Sequence, residues 1–172
     1  MRKHLFFLIG GLFAVLFASA QSDTVRMDRL QLVFPGKAQV DEQGNNKRFQ
    51  LRLADSSANF MMVSVDMTAM GMDESMVVMM QASPEFWEQT REGMVGQMGG
   101  DAKLIKDEML DWNGTKMMQL QLERPSKEGG VNRLIVRMFF LGTNMIQYGH
   151  TNRNDKADAA IREAFLSSLQ IK

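Results

Sequence analysis

Alternating apolar and polar residues predict a meander of strands in the first half of the chain. Residues 29–34 predict a first strand, which ends at Pro35-Gly36 because proline fixes φ and glycine accepts a positive φ. A polar loop is predicted at residues 41–46. Residues 49–53 alternate strictly and predict a second strand, and residues 60–67 predict a third.

A helical pattern replaces the alternation after Asp73. Four methionines recur at the spacing of one helix face, and we expect that face to pack against the sheet. They are Met72, Met76, Met79 and Met80.

Two further helices are predicted from capping residues and periodicity. Ser83 is a favourable N-cap for a helix that Gly99-Gly100 ends. Residues 155–169 carry an apolar stripe at helical spacing, and Asn154 or Asp155 can cap this last helix.

Two hairpins are predicted between the second and the last helix. Residues 104–110 and 116–123 flank Asn113-Gly114, a strong turn signal. Residues 133–141 and 145–150 flank a second tight turn. The sequence therefore predicts one α+β domain.

The N-terminus has the pattern of a cleaved secretory signal peptide. Two basic residues precede a short apolar run, and Ala18-Ser19-Ala20 supplies a small-x-small cleavage site. The run is too short for a membrane-spanning helix. We therefore predict a signal peptide at residues 1–20 and a soluble periplasmic or extracellular domain at residues 21–172, without a transmembrane anchor.

Composition narrows the classes of function. Removal of residues 1–20 leaves two more acidic than basic residues, which gives no reason to expect nucleic-acid binding. The chain has no cysteine, so thiol catalysis and thiolate metal sites are excluded. His150 is the single histidine after residue 20, so a three-histidine zinc site cannot form within one chain.

Short motifs along residues 21–172 resemble those of the secreted PsbP-like domains. They are Phe34-Pro35-Gly36, Gly99-Gly100, the hairpin Asp111-Trp112-Asn113-Gly114, and the closing run from Ala164 to Leu169. The resemblance implies a mainly antiparallel central sheet of about six to seven strands packed between helices, an α/β/α sandwich. It also implies a binding or assembly role, and it supplies no catalytic residues.

The methionines are the most unusual feature of the composition. Eight of the 17 lie between Met61 and Met80. The first interpretation is core packing, because methionine fills irregular gaps. A second is a Cu(I) or Ag(I) site, because thioethers are soft ligands; its ligands would be Met67, Met70, Met72 and Met76. A third is an adaptable partner surface, with Met67, Met70 and Met72 forming an exposed apolar patch.

Two other side chains are candidates for a site. Trp112, at a predicted hairpin tip, either folds back on the sheet, which we favour, or contacts a partner together with Met70 and Met72. His150 ends a predicted strand near Asp155 and could serve an enzyme of unrecognised type if the two side chains converge.

We therefore expect an exported, non-enzymatic module that binds a protein or envelope component and needs no cofactor. A Cu(I)-binding periplasmic protein and a His150 enzyme are the alternatives.

Overall fold

The computed structural model describes residues 22–112 and 114–172. The predicted signal peptide lies outside the described residues, as does Asn113 in the predicted hairpin turn. No helix of the described part is long and apolar enough to cross a membrane.

Seven antiparallel strands form the central sheet, in the order β3-β4-β5-β9-β8-β7-β6. Their bounds are Gln39–Gln43 for β3, Asn46–Arg52 for β4, Ala58–Asp66 for β5, Lys103–Trp112 for β6, Thr115–Pro125 for β7, Val131–Leu141 for β8 and Asn144–Arg153 for β9. A smaller sheet pairs β1 (Asp23–Met27), β2 (Leu30–Phe34) and β10 (Gln170–Ile171).

Helices cover both faces of the central sheet. On one face lie α1 (Glu74–Ala82) and α2 (Pro84–Gln97), preceded by a 3-10 helix at Met67–Met70. On the other face lie α3 (Ala159–Ser167) and the small sheet. The predicted α+β fold, with a mainly antiparallel sheet between helices, is confirmed.

The core beneath α3 is built around aromatic rings that pack edge to face. The ring of Phe165 lies 5.1 Å from that of Phe34 and 5.0 Å from that of Phe60, measured between centroids in edge-on arrangements. Tyr148 and Phe139 extend the cluster with centroids 6.3 Å apart. Edge-on aromatic pairs stabilise a core beyond the area that they bury, and this cluster joins α3 and the small sheet to the central sheet.

Several predicted boundaries need correction. The predicted loop at residues 41–46 is instead a hairpin, because β3 pairs with β4 from Gln39 opposite Gln50 to Gln43 opposite Asn46. Strand β1 was not predicted. The last helix begins at Ala159 and is capped by Asp158, not by Asn154 or Asp155, since both of those residues have positive φ and form a turn.

The predicted methionine face of α1 is wrong in part: Met72 and Met80 pack against the core, but Met76 and Met79 do not. The helix buries Val77 completely, and it exposes Met76 and Met79. The core-packing interpretation is correct for other methionines, which are buried: Met62, Met67, Met94, Met117, Met118 and Met138.

Candidate partner-binding surface

Capping side chains define the segment that carries most of the clustered methionines. The Asp66 carboxylate accepts a hydrogen bond from the backbone N–H of Thr68 at 2.9 Å and starts the 3-10 helix. Gly71, with φ of 77°, ends it. Asp73 Oδ1 accepts from the Met76 N–H at 2.9 Å and starts α1. Each turn is thus fixed by a side chain, so the outer face of the segment has a defined position.

Apolar contacts hold the inner side of this segment against the sheet. Met67, Val77 and Phe140 are buried together, with Met72 and Met80 packed against them. The Trp87 indole N–H donates to the Gln81 carbonyl oxygen at 2.9 Å, which ties the start of α2 to the end of α1. Because Val77 is the buried anchor, the opposite side of α1 faces away from the sheet.

The exposed part of this segment carries apolar side chains beside polar ones such as Ser75. Four side chains, which we call the methionine surface, are exposed: Met70 by 62%, Met76 by 45%, Val78 by 58% and Met79 by 66%. Met76 and Met79 are one helical turn apart, so they are neighbours on the helix surface. Val78 was not among the residues that the sequence predicted to form an exposed patch.

The charged residues within the segment from Asp66 to Ala82 are acidic. Hydrogen bonds from Thr68 and Asn45 lower the pKa of Asp66, and hydrogen bonds from Ser75 and Met76 lower the pKa of Asp73. Both carboxylates therefore stay ionised at neutral pH. No lysine or arginine occurs in the sequence between Arg52 and Arg91.

The four methionines predicted as soft-metal ligands do not share one exposed surface. Met67 is buried and Met72 is packed on the same core cluster, whereas Met70 and Met76 are exposed. Met67 therefore cannot belong to the exposed patch that the sequence predicted with Met70 and Met72. Residues 22–112 and 114–172 also contain no cluster of three His, Asp or Glu side chains that could hold a metal ion.

Trp112 lies on the other side of the sheet. It is partly buried against the core beneath α3, next to Leu110 on β6. Met70 and Met72 belong to the face that α1 covers, so Trp112 cannot contact the same partner surface as these methionines. The indole instead folds back onto the domain, the alternative that we favoured.

His150 is a buried core residue. It is 3% exposed, and neither ring nitrogen has a hydrogen-bond partner among the described residues. Burial lowers its pKa to about 4, with smaller contributions from Arg162 and Arg137. The imidazole is therefore neutral at physiological pH.

Asp155 does not pair with His150. Its Oδ2 lies 2.5 Å from Arg133 Nη1, and its Oδ1 accepts from Asn152 Nδ2 at 3.2 Å. Asp155 is thus bonded to Arg133 and Asn152, and His150 is buried with no hydrogen-bond partner among the described residues. The two side chains do not form the pair that such an enzyme would need.

Comparison with known proteins identifies the fold. No family model and no curated protein matches the chain. The solution structure of cyanobacterial PsbP (CyanoP) from Synechocystis sp. PCC 6803 matches 95% of this chain and 99% of its own, with 14% identity and a TM-score of 0.58. The chain therefore has a PsbP-like fold, as its motifs predicted.

Two other solved structures share less of the architecture. A protein of unknown function from Pseudomonas aeruginosa, PA94, is 14% identical over 78% of this chain and 84% of its own, with a TM-score of 0.43. A Bacteroides thetaiotaomicron structure is 12% identical over 84% of this chain and 45% of its own, with a TM-score of 0.44.

Proposed function

We propose that this protein is an exported, non-enzymatic module of the bacterial envelope that binds a protein partner through the methionine surface. The observation that carries the proposal is the exposure of four apolar side chains on one short segment: Met70, Met76, Val78 and Met79. Folding does not require apolar residues there, because the inner side of α1 already supplies the core contacts through Val77.

Burial of these side chains by a partner would stabilise a complex. Full burial of a methionine or valine side chain contributes about 1.5–3 kcal/mol. Methionine is also unbranched and adapts its shape to the opposing surface. The segment is held by the caps at Asp66 and Asp73, so little backbone order has to be gained on binding.

Charge indicates the chemistry of the partner. Asp73 and Glu74 begin α1, and the sequence has no basic residue between Arg52 and Arg91. A partner surface with an apolar centre and lysine or arginine at its rim would complement this arrangement.

The two edges of the sheet are poorer docking sites. The edge strand β6 exposes Leu104, Ile105 and Met109. It also carries charged side chains at Lys103, Lys106 and Asp107, and its pairing register with β7 shifts between Leu104 and Lys106. The opposite edge, β3, is only five residues long and includes Asp41 and Glu42. Charges, irregular pairing and short length are the features by which edge strands avoid adding another strand.

A photo-crosslinking amino acid at position 79 tests the proposal in native cells that express the full chain. We expect one major adduct with an envelope protein, formed by chain that begins at Gln21 after cleavage. Position 40 is the matched control, because Val40 is also exposed, by 55%, but lies on β3 at the edge of the sheet. Adducts of the same pattern at both positions would contradict the proposal.

Purified partner then tests the interaction quantitatively. The double substitution Met76→Ser with Met79→Ser is expected to weaken binding at least about tenfold, because two apolar contacts are lost. Val40→Ser should leave the affinity unchanged, because Val40 lies on the edge strand β3. Equal affinities for all three chains would show that the methionine surface is not the binding surface.

A further inference from the structure

A polar cleft of about 730 Å³ lies at one end of the central sheet, on the side of the sheet that carries α1 and α2. Strands β4, β5 and β9 contribute to its lining. The residues after α2, at Met98 and Asp101, and the hairpin between β7 and β8 also line it. Its volume is within the range of small-molecule sites, about 300–1,000 Å³.

Two arginines flank an asparagine across three neighbouring strands of this cleft. Arg124 on β7 lies opposite Asn132 on β8, and Asn132 lies opposite Arg153 on β9. The backbones of Arg124 and Arg153 are therefore two strand spacings apart, a distance of about 10 Å. An oxyanion above Asn132 would therefore be within reach of both guanidinium groups.

The cleft has an excess of positive charge. Arg52 and Lys127 join Arg124 and Arg153, against the carboxylates of Asp101 and Glu128. Arg52, Lys127 and Arg153 form no ion pair with any residue in the described part of the chain. Among the described residues, the Arg124 side chain donates a hydrogen bond only to the Met98 carbonyl oxygen, at 3.5 Å. This excess contrasts with the acidic balance of the chain after residue 20.

Neutral polar groups accompany the charges. The Asn132 amide oxygen is buried and accepts no hydrogen bond from the described residues. Asn59 and Thr151, which face each other across β5 and β9, add amide and hydroxyl groups to the lining. No aromatic ring is among the described lining residues, so recognition by stacking is not available.

We infer that this cleft binds a small hydroxylated anion, such as a sugar phosphate or a sugar acid. The arginines would hold the phosphate or carboxylate, for which guanidinium geometry is well suited. Ligand hydroxyls would bond the amide of Asn59 and the hydroxyl of Thr151, which line the cleft. This site is independent of the methionine surface, and it stands whether or not that surface binds a partner.

Amide NMR titration of the full domain with glucose 6-phosphate, glucuronate and glucose tests the inference. We expect saturable shifts at Asn132, Thr151 and Arg153 with both anions, and none with glucose. Arg124→Gln and Arg153→Gln should each weaken binding at least about tenfold, because each removes a charged contact. Arg26→Gln is the control, since Arg26 is an exposed residue of the small sheet; its affinity should equal that of the unaltered chain.

Four results would overturn the inference. They are the absence of saturable shifts with either anion, glucose binding as tightly as the anions, affinity unchanged by both cleft substitutions in folded variants, and inorganic phosphate binding as tightly as glucose 6-phosphate. The last result would show that the cleft does not recognise hydroxyl groups.

Discussion

Gly149 lies in the middle of β9, where the sheet leaves no space for a side chain. A Cβ at this position would collide with the backbone carbonyl oxygen of Ile135 and would lie 2.9 Å from the Cα of Val136. Both are backbone atoms of β8, so the clash cannot be relieved by a side-chain rotation. Gly149 is therefore required for the close pairing of β8 and β9.

Gly149→Ala should lower the free energy of unfolding by about 3 kcal/mol or more, because the central strand pair has to separate locally. Chemical denaturation followed by circular dichroism measures the change. Gly93→Ala is the matched control: Gly93 lies within α2 and its Cβ would meet no atom within 4 Å, so stability should be retained or increased. Equal stability of Gly149→Ala and the unaltered chain would contradict so close an approach of β8 to β9.

The buried His150 predicts a specific pH dependence of stability. Its pKa is lowered to about 4 in the folded protein, whereas an unperturbed histidine has a pKa of about 6.5. Between these values the unfolded chain binds a proton that the folded chain does not. The free energy of unfolding therefore falls as pH decreases from 6.5 to 4, by about 3 kcal/mol from this residue.

His150→Leu should remove this contribution, because leucine does not titrate. Denaturation of both chains between pH 4 and pH 7.5 makes the comparison, and the carboxylates common to both cancel in the difference. At pH 7.5 the variant should be at least as stable, since two ring nitrogens without hydrogen-bond partners are replaced by apolar atoms. Parallel pH profiles for the two chains would refute the assignment of a neutral core histidine.

At the scale of elements, Arg137 connects α3 to the central sheet. Its Nη1 donates to the Leu166 carbonyl oxygen at 2.9 Å and to the Tyr148 hydroxyl at 3.0 Å, and its Nε donates to Gln119 Oε1 at 2.6 Å. A cation at the C-terminal turn of a helix also interacts favourably with the helix dipole. The guanidinium thus fixes the last turn of α3 above β7, β8 and β9.

Arg137→Met should cost about 2 kcal/mol of stability, because three part-buried acceptors lose a charged donor. Amide exchange should accelerate first in α3. Arg133→Met is the control: Arg133 pairs with Glu123 and Asp155, but it is half exposed, and surface ion pairs contribute about 0–1 kcal/mol. A larger loss for Arg133→Met than for Arg137→Met would contradict this account of how α3 is anchored.

The elements were predictable from the sequence where one face is apolar and the other polar. The hairpins β6–β7 and β8–β9 were predicted because turn residues separate alternating runs. The hairpin β3–β4 was missed because both faces of β3 are exposed and all its residues but Val40 are polar. The strand therefore has no alternation of apolar and polar residues. Strand β1 buries only Val25, and one buried residue does not produce an alternation from which a strand could be predicted.

The orientation of α1 could not be predicted for a different reason. Residues 76–80 read Met-Val-Val-Met-Met, so five consecutive positions are apolar and no polar face indicates the side toward solvent. Tertiary packing selects Val77 as the buried residue, next to Met67 and Phe140. The exposed methionine surface is therefore a consequence of packing that the sequence period alone does not specify.

At the scale of the whole molecule, the fold divides the methionines between its interior and its surface. Six are buried and help to fill both sides of the sheet, whereas Met70, Met76, Met79 and Met109 are exposed. The cleft could be recognised only from the structure, because Arg52, Arg124 and Arg153 lie far apart in the sequence and the sheet brings them together. The sequence predicted the fold class and a partner surface in the methionine-rich segment, of which Met70 is exposed and Met67 is buried. It did not predict the cleft.

The division of the methionines is the central claim, since the proposed partner surface depends on it. Methyl-methionine NMR of the chain from Gln21, with a soluble paramagnetic relaxation agent, tests it most directly. We predict strong broadening of the Met70, Met76 and Met79 methyl signals. The methyl signals of four buried residues should be protected: Met62, Met67, Met117 and Met138.

Protection of Met76 and Met79 equal to that of the buried methyl groups would contradict the account. Addition of Ag(I) to the same sample tests the alternative of a soft-metal site. We predict no saturable shifts shared by all four candidate ligands, Met67, Met70, Met72 and Met76, because they lie partly in the core and partly in solvent. Concerted shifts of these four signals would instead establish a soft-metal site.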